Sequence, residues 1–410
     1  MSDIIILWDW LEFAVRWTHV ITAIAWIGSS FYFIALDLGL HRDKPLASGA
    51  DGEAWQVHGG GFYHIQKYLI APDRLPADLT WFKWESYFTW LSGFTLLALV
   101  YYQGAGLYLI DPQVADLTAG QGIAISIASL AGGWVVYDRL CKSKLGEDTQ
   151  LLMILLFLIL VAVAWGYSQV FSGRAALLHL GAFTATIMTG NVFWIIMPNQ
   201  RVVVADLIAG RNPDPKYGKI AKQRSTHNNY LTLPVIFLML SNHYPLAFAS
   251  PWNWLIAALV FLMGVSIRHW FNSHHARKGH PDWTWAVTAL LFLLIVWLST
   301  LPAPAPAAEA RLTHTLTPAA QRFADAPGFA QVTDIVAGRC SMCHAAEPVW
   351  DGIRRAPRGV ALDTPEGVAV HAREIVLWAG LTHAMPPGNV SGIEPAERAA
   401  IVAWFRAAEG

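Results

Sequence analysis

Charged residues are scarce in this sequence. Asp, Glu, Lys and Arg together make up only 14% of its 410 residues, against roughly 25% in an ordinary soluble domain. Hydrophobic residues account for 55%, and 20 residues are Trp. The formal net charge of -1 gives no indication of nucleic-acid binding. This composition is typical of a membrane protein.

The N-terminus lacks the basic segment of a cleaved signal peptide, since MSDIIILWDWLEFAVRW opens with acidic and apolar residues. We therefore expect the first helix to be retained. Eight stretches of about 20 mostly apolar residues are long enough to cross a bilayer as helices. They lie near 13–36, 86–103, 120–140, 151–170, 174–197, 228–247, 254–272 and 283–301.

Lysines and arginines are distributed unevenly along these spans. Sixteen lie in or beside the loops that follow odd-numbered spans, whereas Arg174 alone lies beside an even-numbered loop. Because cytoplasmic loops retain such residues, both termini are predicted on the outer face of the membrane.

The composition changes after the eighth span. LPAPAPAAEA (301–310) is a Pro/Ala tract that indicates an extended linker. The sequence thus predicts an all-α protein in three parts. Residues 1–301 form an eight-helix transmembrane bundle, 302–316 a linker, and 317–410 a small all-helical domain outside the membrane.

Cysteine is rare, and two of the three cysteines stand in RCSMCHAAEPVW (339–350). Cys340, Cys343 and His344 match C-x-x-C-H, the pattern for covalent attachment of a c-type haem, in which the histidine becomes an axial ligand of the iron. A structural zinc site would need further thiol or imidazole ligands, and a thioredoxin-like site would need a βαβ setting. The sequence shows neither, so we predict haem c.

A second axial ligand is expected downstream of the motif. THAMPPGN (382–389) supplies Met385 just before a double proline that ends any helix. His383 and His371 are alternative ligands. Helical stretches on either side of the motif complete a small c-type cytochrome pattern. Such haem is attached outside the cytoplasm, in agreement with the charge distribution, so the domain is predicted to be a periplasmic electron port.

Histidines in the spans are candidates for a relay. His19, His179 and His243 lie toward the predicted outer side. Pairs of histidines on facing helices could hold a haem b or another relay cofactor. The alternative is that each histidine is simply hydrogen-bonded between helices.

Two segments toward the predicted inner side contain several polar and ionisable residues. HGGGFYHIQKY (58–68) contains His64 and Lys67 after a glycine run, and RSTHNNYLTLPV (224–235) groups polar residues at the start of the sixth span. Amide, guanidinium and aromatic groups suit a flat, polar, anionic heterocycle. A capped helix start beside a basic loop is the alternative. The residues of the second segment that we single out are Arg224, His227, Asn228, Asn229 and Tyr230.

The whole chain resembles the membrane-bound, cytochrome c-linked urate oxidases (urate hydroxylases) of bacteria. The segments that carry the resemblance are WTHVITAIAWIGSSFYFIALD (17–37), HGGGFYHIQKY, KWESYFTWLSGF (83–94), THNNYLTLPVIFLMLSNHYP (226–245), CSMCH and AMPPGN.

The resemblance implies oxidation of urate to 5-hydroxyisourate with oxygen from water, and transfer of two electrons through the fused haem c to the respiratory chain. It also implies a multi-pass protein of the bacterial inner membrane with the cytochrome domain in the periplasm. The expected partners are urate, membrane lipid and a downstream acceptor such as a terminal oxidase or a soluble cytochrome.

The side chains suggest a site hypothesis. A base among His64, Lys67 and His227 removes a proton from urate, while Arg224, Asn228, Asn229 and Tyr230 bind the substrate. A site at the inner face would be separated from the periplasmic haem by much of a core about 30 Å thick. Either the pocket therefore lies on the outer side, near the three outer histidines, or those histidines hold a relay. The rival function is a membrane-tethered electron carrier or quinol-oxidising module without urate chemistry.

Overall fold

The computed structural model describes residues 2–43, 45–69, 71–72, 75–111, 114–301, 316–350, 353 and 356–409. The predicted linker lies outside these residues except for its last position, as do Lys44 and Arg74 of the charge distribution. The chain is mostly helical. The helices are α1 (Ser2–Gly39), α2 (Trp84–Leu96), α3 (Ala119–Lys142), α4 (Thr149–Ser168), α5 (Gly173–Gly190), α6 (Met197–Ile208), α7 (Pro215–Leu240), α8 (Pro245–Phe248), α9 (Asn253–His275), α10 (Trp283–Thr300), α11 (Pro318–Ala324), α12 (Phe329–Arg339), α13 (Pro365–Val370), α14 (Ala372–Ile375) and α15 (Pro395–Glu409).

Six helices within the described residues are long and apolar enough to cross a membrane, which is consistent with a membrane protein. The second and sixth predicted spans also lie on helical segments. However, α2 changes to π-helix after 13 residues, and α7 is polar through its first half. The eight-span count therefore stays a prediction. The six helical segments are Ile6–Gly39, Ala119–Lys142, Thr149–Ser168, Gly173–Ile208, Asn253–His275 and Trp283–Thr300.

The all-α prediction is wrong in one place, because the segment after α1 forms a β-hairpin. Strands β1 (Ala50–His58) and β2 (Gly61–Tyr68) pair antiparallel, with His58 opposite Gly61. The turn is Gly59-Gly60, and both glycines have positive φ, 58° and 79°. A two-residue turn with left-handed residues matches the twist of the strands. The glycine run is therefore explained by turn geometry.

Small residues let the helices of the bundle approach closely. A Cβ atom added at Gly133 of α3 would lie 2.0 Å from the ring of Phe183 on α5. At Gly190 it would lie 2.6 Å from the ring of Trp134. Helix α5 is accordingly the most enclosed helix of this packing, with residues buried on all its faces.

The C-terminal residues form a hydrophobic core of their own, centred on Val332, Val336, Ile401 and Trp404. The two core helices α12 and α15 contribute these side chains, and the indole Nε1 of Trp404 donates to the carbonyl of Phe323 at 2.9 Å.

This C-terminal domain rests against one end of the bundle, which we call the docking end. The hydroxyl of Tyr108 donates to the carboxylate of Glu374, and the ring of Phe248 lies 3.3 Å from a Cβ built at Gly359. The opposite end, where α1 and α9 finish beside the hairpin, is called the hairpin end. A Cβ built at Gly39 there would lie 3.6 Å from the carbonyl oxygen of His275.

Candidate functional site

The C-x-x-C-H motif begins where α12 ends. The backbone turns tightly there, since the amides of Cys343 and His344 both donate to the carbonyl of Cys340, at 3.2 and 2.9 Å. The Nδ1 atom of His344 lies 2.9 Å from the carbonyl oxygen of Val360. Because a carbonyl only accepts, Nδ1 carries the proton and a neutral ring keeps Nε2 available as a ligand atom.

Both cysteines of the motif are free. Burial raises the pKa of the Cys340 thiol to about 11, and burial also raises the pKa of Cys343. Both sulfurs are therefore neutral thiols at neutral pH. Their spacing and their neighbour His344 fit covalent attachment of a haem c.

Met385 lies on the loop predicted to supply the second ligand. Its amide donates to the carbonyl of Trp378 at 2.8 Å, and its carbonyl accepts from Nη1 of Arg398 at 2.9 Å. The backbone is thus fixed while the residue stays 37% exposed. Sequence reasoning missed Arg398, a buried charge on α15 that holds this loop in place.

The two rival ligands have different surroundings. His383 is exposed and has a left-handed backbone, with φ 56°. His371 is largely enclosed, its Nδ1 lies 3.9 Å from Glu374, and burial lowers its pKa. The residues present therefore fit a c-type haem, which Cys340, Cys343 and His344 would hold. Met385 stays the predicted second ligand.

A buried polar network at the hairpin end joins α7 to α3 and to the π-helical turn after α5. We call it the Arg224 cluster. Arg224 is 1% exposed, and its Nη2 donates to Asp138 at 2.9 Å while Nη1 donates to Oδ1 of Asn191 at 3.2 Å. Asn191 in turn donates to Oδ1 of Asn228 at 2.9 Å and to the hydroxyl of Tyr137 at 3.0 Å. The charge of Arg224 is thus paired with a carboxylate.

His227 belongs to the same cluster. Its Nδ1 lies 2.7 Å from the hydroxyl of Tyr137, and its Nε2 is buried without a hydrogen-bond partner among the described residues. When Nδ1 donates to the Tyr137 hydroxyl, which also accepts from Asn191, the neutral imidazole has a free lone pair on Nε2 that can accept a proton.

Asn229 points to a different neighbour, α9, and forms what we call the Arg268 cluster. Nε of Arg268 and Nδ2 of Asn272 donate to Oδ1 of Asn229, at 3.2 and 2.9 Å. The guanidinium lies over the ring of Phe31 of α1, 4.0 Å from its centroid. Tyr230 is close enough to interact electrostatically with Arg268. The four predicted substrate-binding residues are therefore divided between two clusters.

His64 and Lys67 lie on β2, and their partners belong to the hairpin region. Nε2 of His64 lies 2.7 Å from Glu53, and its ring stacks on Trp55 with centroids 4.1 Å apart. Lys67 pairs with Asp37 at the end of α1. The structure does not bring these two side chains into the network that holds His227.

Within the described residues, no hydrogen bond or ring contact joins the three outer histidines to one another. Nδ1 of His19 lies 2.9 Å from the carbonyl of Thr89. His179 is fully buried, with Nδ1 2.8 Å from the carbonyl of Ala175 and Nε2 unpartnered among the described residues. His243 stands in a short 3₁₀ turn after α7. A haem b or another relay at these positions stays a prediction.

Several members of these clusters were not singled out in the sequence. Tyr137, Asp138 and Asn191 lie in segments that read as ordinary span ends, and only the fold brings them to Arg224. Arg268 could have been identified from the sequence. Placing a charged side chain within an apolar span costs free energy, so such an arginine is a candidate for function.

These observations define a mostly helical protein with apolar helices of membrane-spanning length and buried polar clusters at one end of its bundle. The family model described as Urate oxidase N-terminal matches residues 5–299. The chain therefore belongs to this family, and membership indicates an oxidoreductase that acts on urate. No curated protein and no solved structure matches the chain.

Proposed function

We propose that the chain oxidises urate to 5-hydroxyisourate with oxygen from water, and that the two electrons leave through its C-terminal domain. The step balances as urate plus water giving 5-hydroxyisourate, two protons and two electrons. The haem c would supply a one-electron acceptor that turns over twice for each urate. The final acceptor is a respiratory component such as a terminal oxidase or a soluble cytochrome.

One observation carries this proposal. The segment that matches the urate oxidase family, residues 5–299, is fused to a domain with C-x-x-C-H and contacts it directly through Tyr108 and Glu374. A two-electron oxidation needs an acceptor, and the contact of the C-x-x-C-H domain with the bundle supports this domain as the acceptor. We also propose the bacterial inner membrane as the location, with this domain in the periplasm.

The chain's own residues would bind urate and move its protons. The proposed base is one of His64, Lys67 and His227. His227 has the geometry that favours it, because Tyr137 orients one nitrogen and leaves the other without a partner. Arg224, Asn228, Asn229 and Tyr230 are the proposed substrate-binding residues.

The test uses the full-length protein in detergent, with oxygen removed and the haem oxidised. Urate is added while the reduced haem absorption is followed, and xanthine and ubiquinol are added in parallel samples. We expect rapid reduction by urate. Reduction by ubiquinol without reduction by urate would contradict the proposal and favour the rival function, a quinol-fed electron carrier.

Three single replacements test the site. Lys67→Ala, His227→Ala and Asn228→Ala are each expected to lower urate-dependent haem reduction, while the haem content stays at the wild-type level. Full activity in all three variants would contradict a site built from these residues.

A further inference from the structure

Arg268 is a buried cation that has no carboxylate partner among the described residues. It lies inside the apolar helix α9 and is 4% exposed. Its guanidinium donates only to the neutral amides Asn229 and Asn272 and stacks on Phe31 and Phe271. Within the described residues, no Asp or Glu forms an ion pair with it.

An uncompensated charge in this position is costly. Removing a cation from water costs several kcal/mol even after relaxation, and buried charges are therefore paired or hydrogen-bonded. The helix macrodipole does not replace the missing anion, because its effect falls off within the last turn and Arg268 lies about two turns before the end of α9. Arg224, in contrast, has Asp138 at 2.9 Å.

A second observation, on Asn229, concerns the same cluster. Asn229 is 1% exposed and its Nδ2 has no hydrogen-bond partner among the described residues. An unsatisfied buried amide donor thus lies beside the Arg268 guanidinium, next to the ring of Phe31.

We propose that Arg268 and Asn229 bind the negative charge and a carbonyl oxygen of a flat heterocyclic anion, at the junction of α1, α7 and α9. The inference rests on the proposed function, in which that anion is urate, and it narrows the site. Asn229 and Tyr230 keep their substrate-binding role. The charge of Arg224 is already paired with Asp138, so the negative charge of the ligand is assigned to Arg268. The ring of Phe31 supplies an apolar surface at this junction.

The test measures binding without turnover. Full-length protein is reduced at its haem and kept without oxygen, so that urate is not consumed, and radiolabelled urate is titrated by equilibrium dialysis. Arg268→Gln is expected to weaken binding by roughly ten- to a hundredfold, since a hydrogen bond to a charged group is worth about 1.5–3 kcal/mol and 1.4 kcal/mol is a factor of ten.

Asn229→Asp is the decisive variant, because it places a carboxylate beside Arg268 at almost unchanged volume. A purely structural arginine would be stabilised by this carboxylate. A ligand-binding arginine would be neutralised, and urate binding would fall at least tenfold while haem content and thermal stability are retained. Gln223→Glu, which adds a negative charge on α7 outside the cluster, is the matched control and should change urate affinity less than about twofold.

Wild-type urate affinity in a folded Asn229→Asp protein would overturn the inference and leave the proposed function standing. Absence of urate binding in the wild type would overturn both. If Arg268→Gln does not fold, the aspartate variant still decides the question.

Discussion

The contact between Tyr108 and Glu374 is expected to hold the C-terminal domain on the bundle. The Tyr108 hydroxyl donates to one carboxylate oxygen, and the other, Oε2, is buried without a hydrogen-bond partner among the described residues, with Nδ1 of His371 3.9 Å away. Tyr108→Phe therefore removes the hydrogen bond and leaves a poorly solvated carboxylate. A hydrogen bond to a charged group contributes about 1.5–3 kcal/mol, so the equilibrium for undocking should rise by roughly ten- to a hundredfold.

Hydrogen exchange measures this equilibrium, because amides exposed by undocking exchange in proportion to the population of the open state. In Tyr108→Phe, peptides covering 357–375 should exchange faster by about that factor. Tyr102→Phe is the control, since its hydroxyl bonds to Ser126 within the bundle at 2.8 Å. The double variant Tyr108→Phe with Glu374→Gln should show exchange in 357–375 no faster than that of Tyr108→Phe alone. Unchanged exchange in 357–375, or fully additive effects, would refute a docking role for this contact.

Three further predictions concern packing, haem ligation and pH. Gly133→Ala should destabilise the bundle by about 1–3 kcal/mol because its Cβ would overlap a phenylalanine ring. In the control Gly132→Ala the added Cβ meets nothing within 4 Å, so this change should be neutral or stabilising. Thermal unfolding in detergent measures the stability of both variants. Met385→Ala should change the haem absorption of a Met-ligated iron and His383→Ala should not, and the reverse result would identify the histidine as ligand. The pKa of Glu397 is lowered in the folded protein, first by the backbone amide of Glu394 and then by Arg339. The ionised carboxylate therefore stabilises the domain fully above its unfolded-state pKa of about 4.3. This contribution is lost as the pH falls through the lower, folded-state pKa. Glu397→Gln should remove that acid-dependent step, which thermal unfolding between neutral and acidic pH would show.

Long periodic features were predictable from the sequence, and features made by tertiary contact were not. Long apolar runs such as LLMILLFLILVAVAW (151–165) predict a helix, and the structure has α4 there, over Thr149–Ser168. The hairpin was not predicted, because His64 and Lys67 indicated a binding segment. The glycine pair before β2 is nevertheless a turn signal. Arg224 and Asn229 could be named from the sequence, but only the packing of α7 shows that they face different helices.

Three buried arginines of the bundle can be compared by what lies opposite each charge. Arg224 is paired with Asp138. Arg174, at the docking end, lies over the ring of Tyr108, whose hydroxyl contacts Glu374. Neither Arg174 nor Arg268 forms an ion pair within the described residues, but Arg268 also lies beside the buried, unpartnered Nδ2 of Asn229, which favours the hairpin end as the place where an anionic substrate binds.

That location has a consequence for electron transfer. Helix α7 carries Asn229 near the hairpin end and reaches the turn with His243 fourteen residues later, roughly 20 Å away at 1.5 Å per residue. In the proposed mechanism, an electron from urate bound at Arg268 would cover about this length before it reached the C-terminal domain. Fully buried His179 lies on α5 toward the docking end, with Nε2 free of partners among the described residues. An anion site at the hairpin end therefore makes a relay in this part of the bundle a requirement of the mechanism, whereas a pocket at the docking end would make it unnecessary.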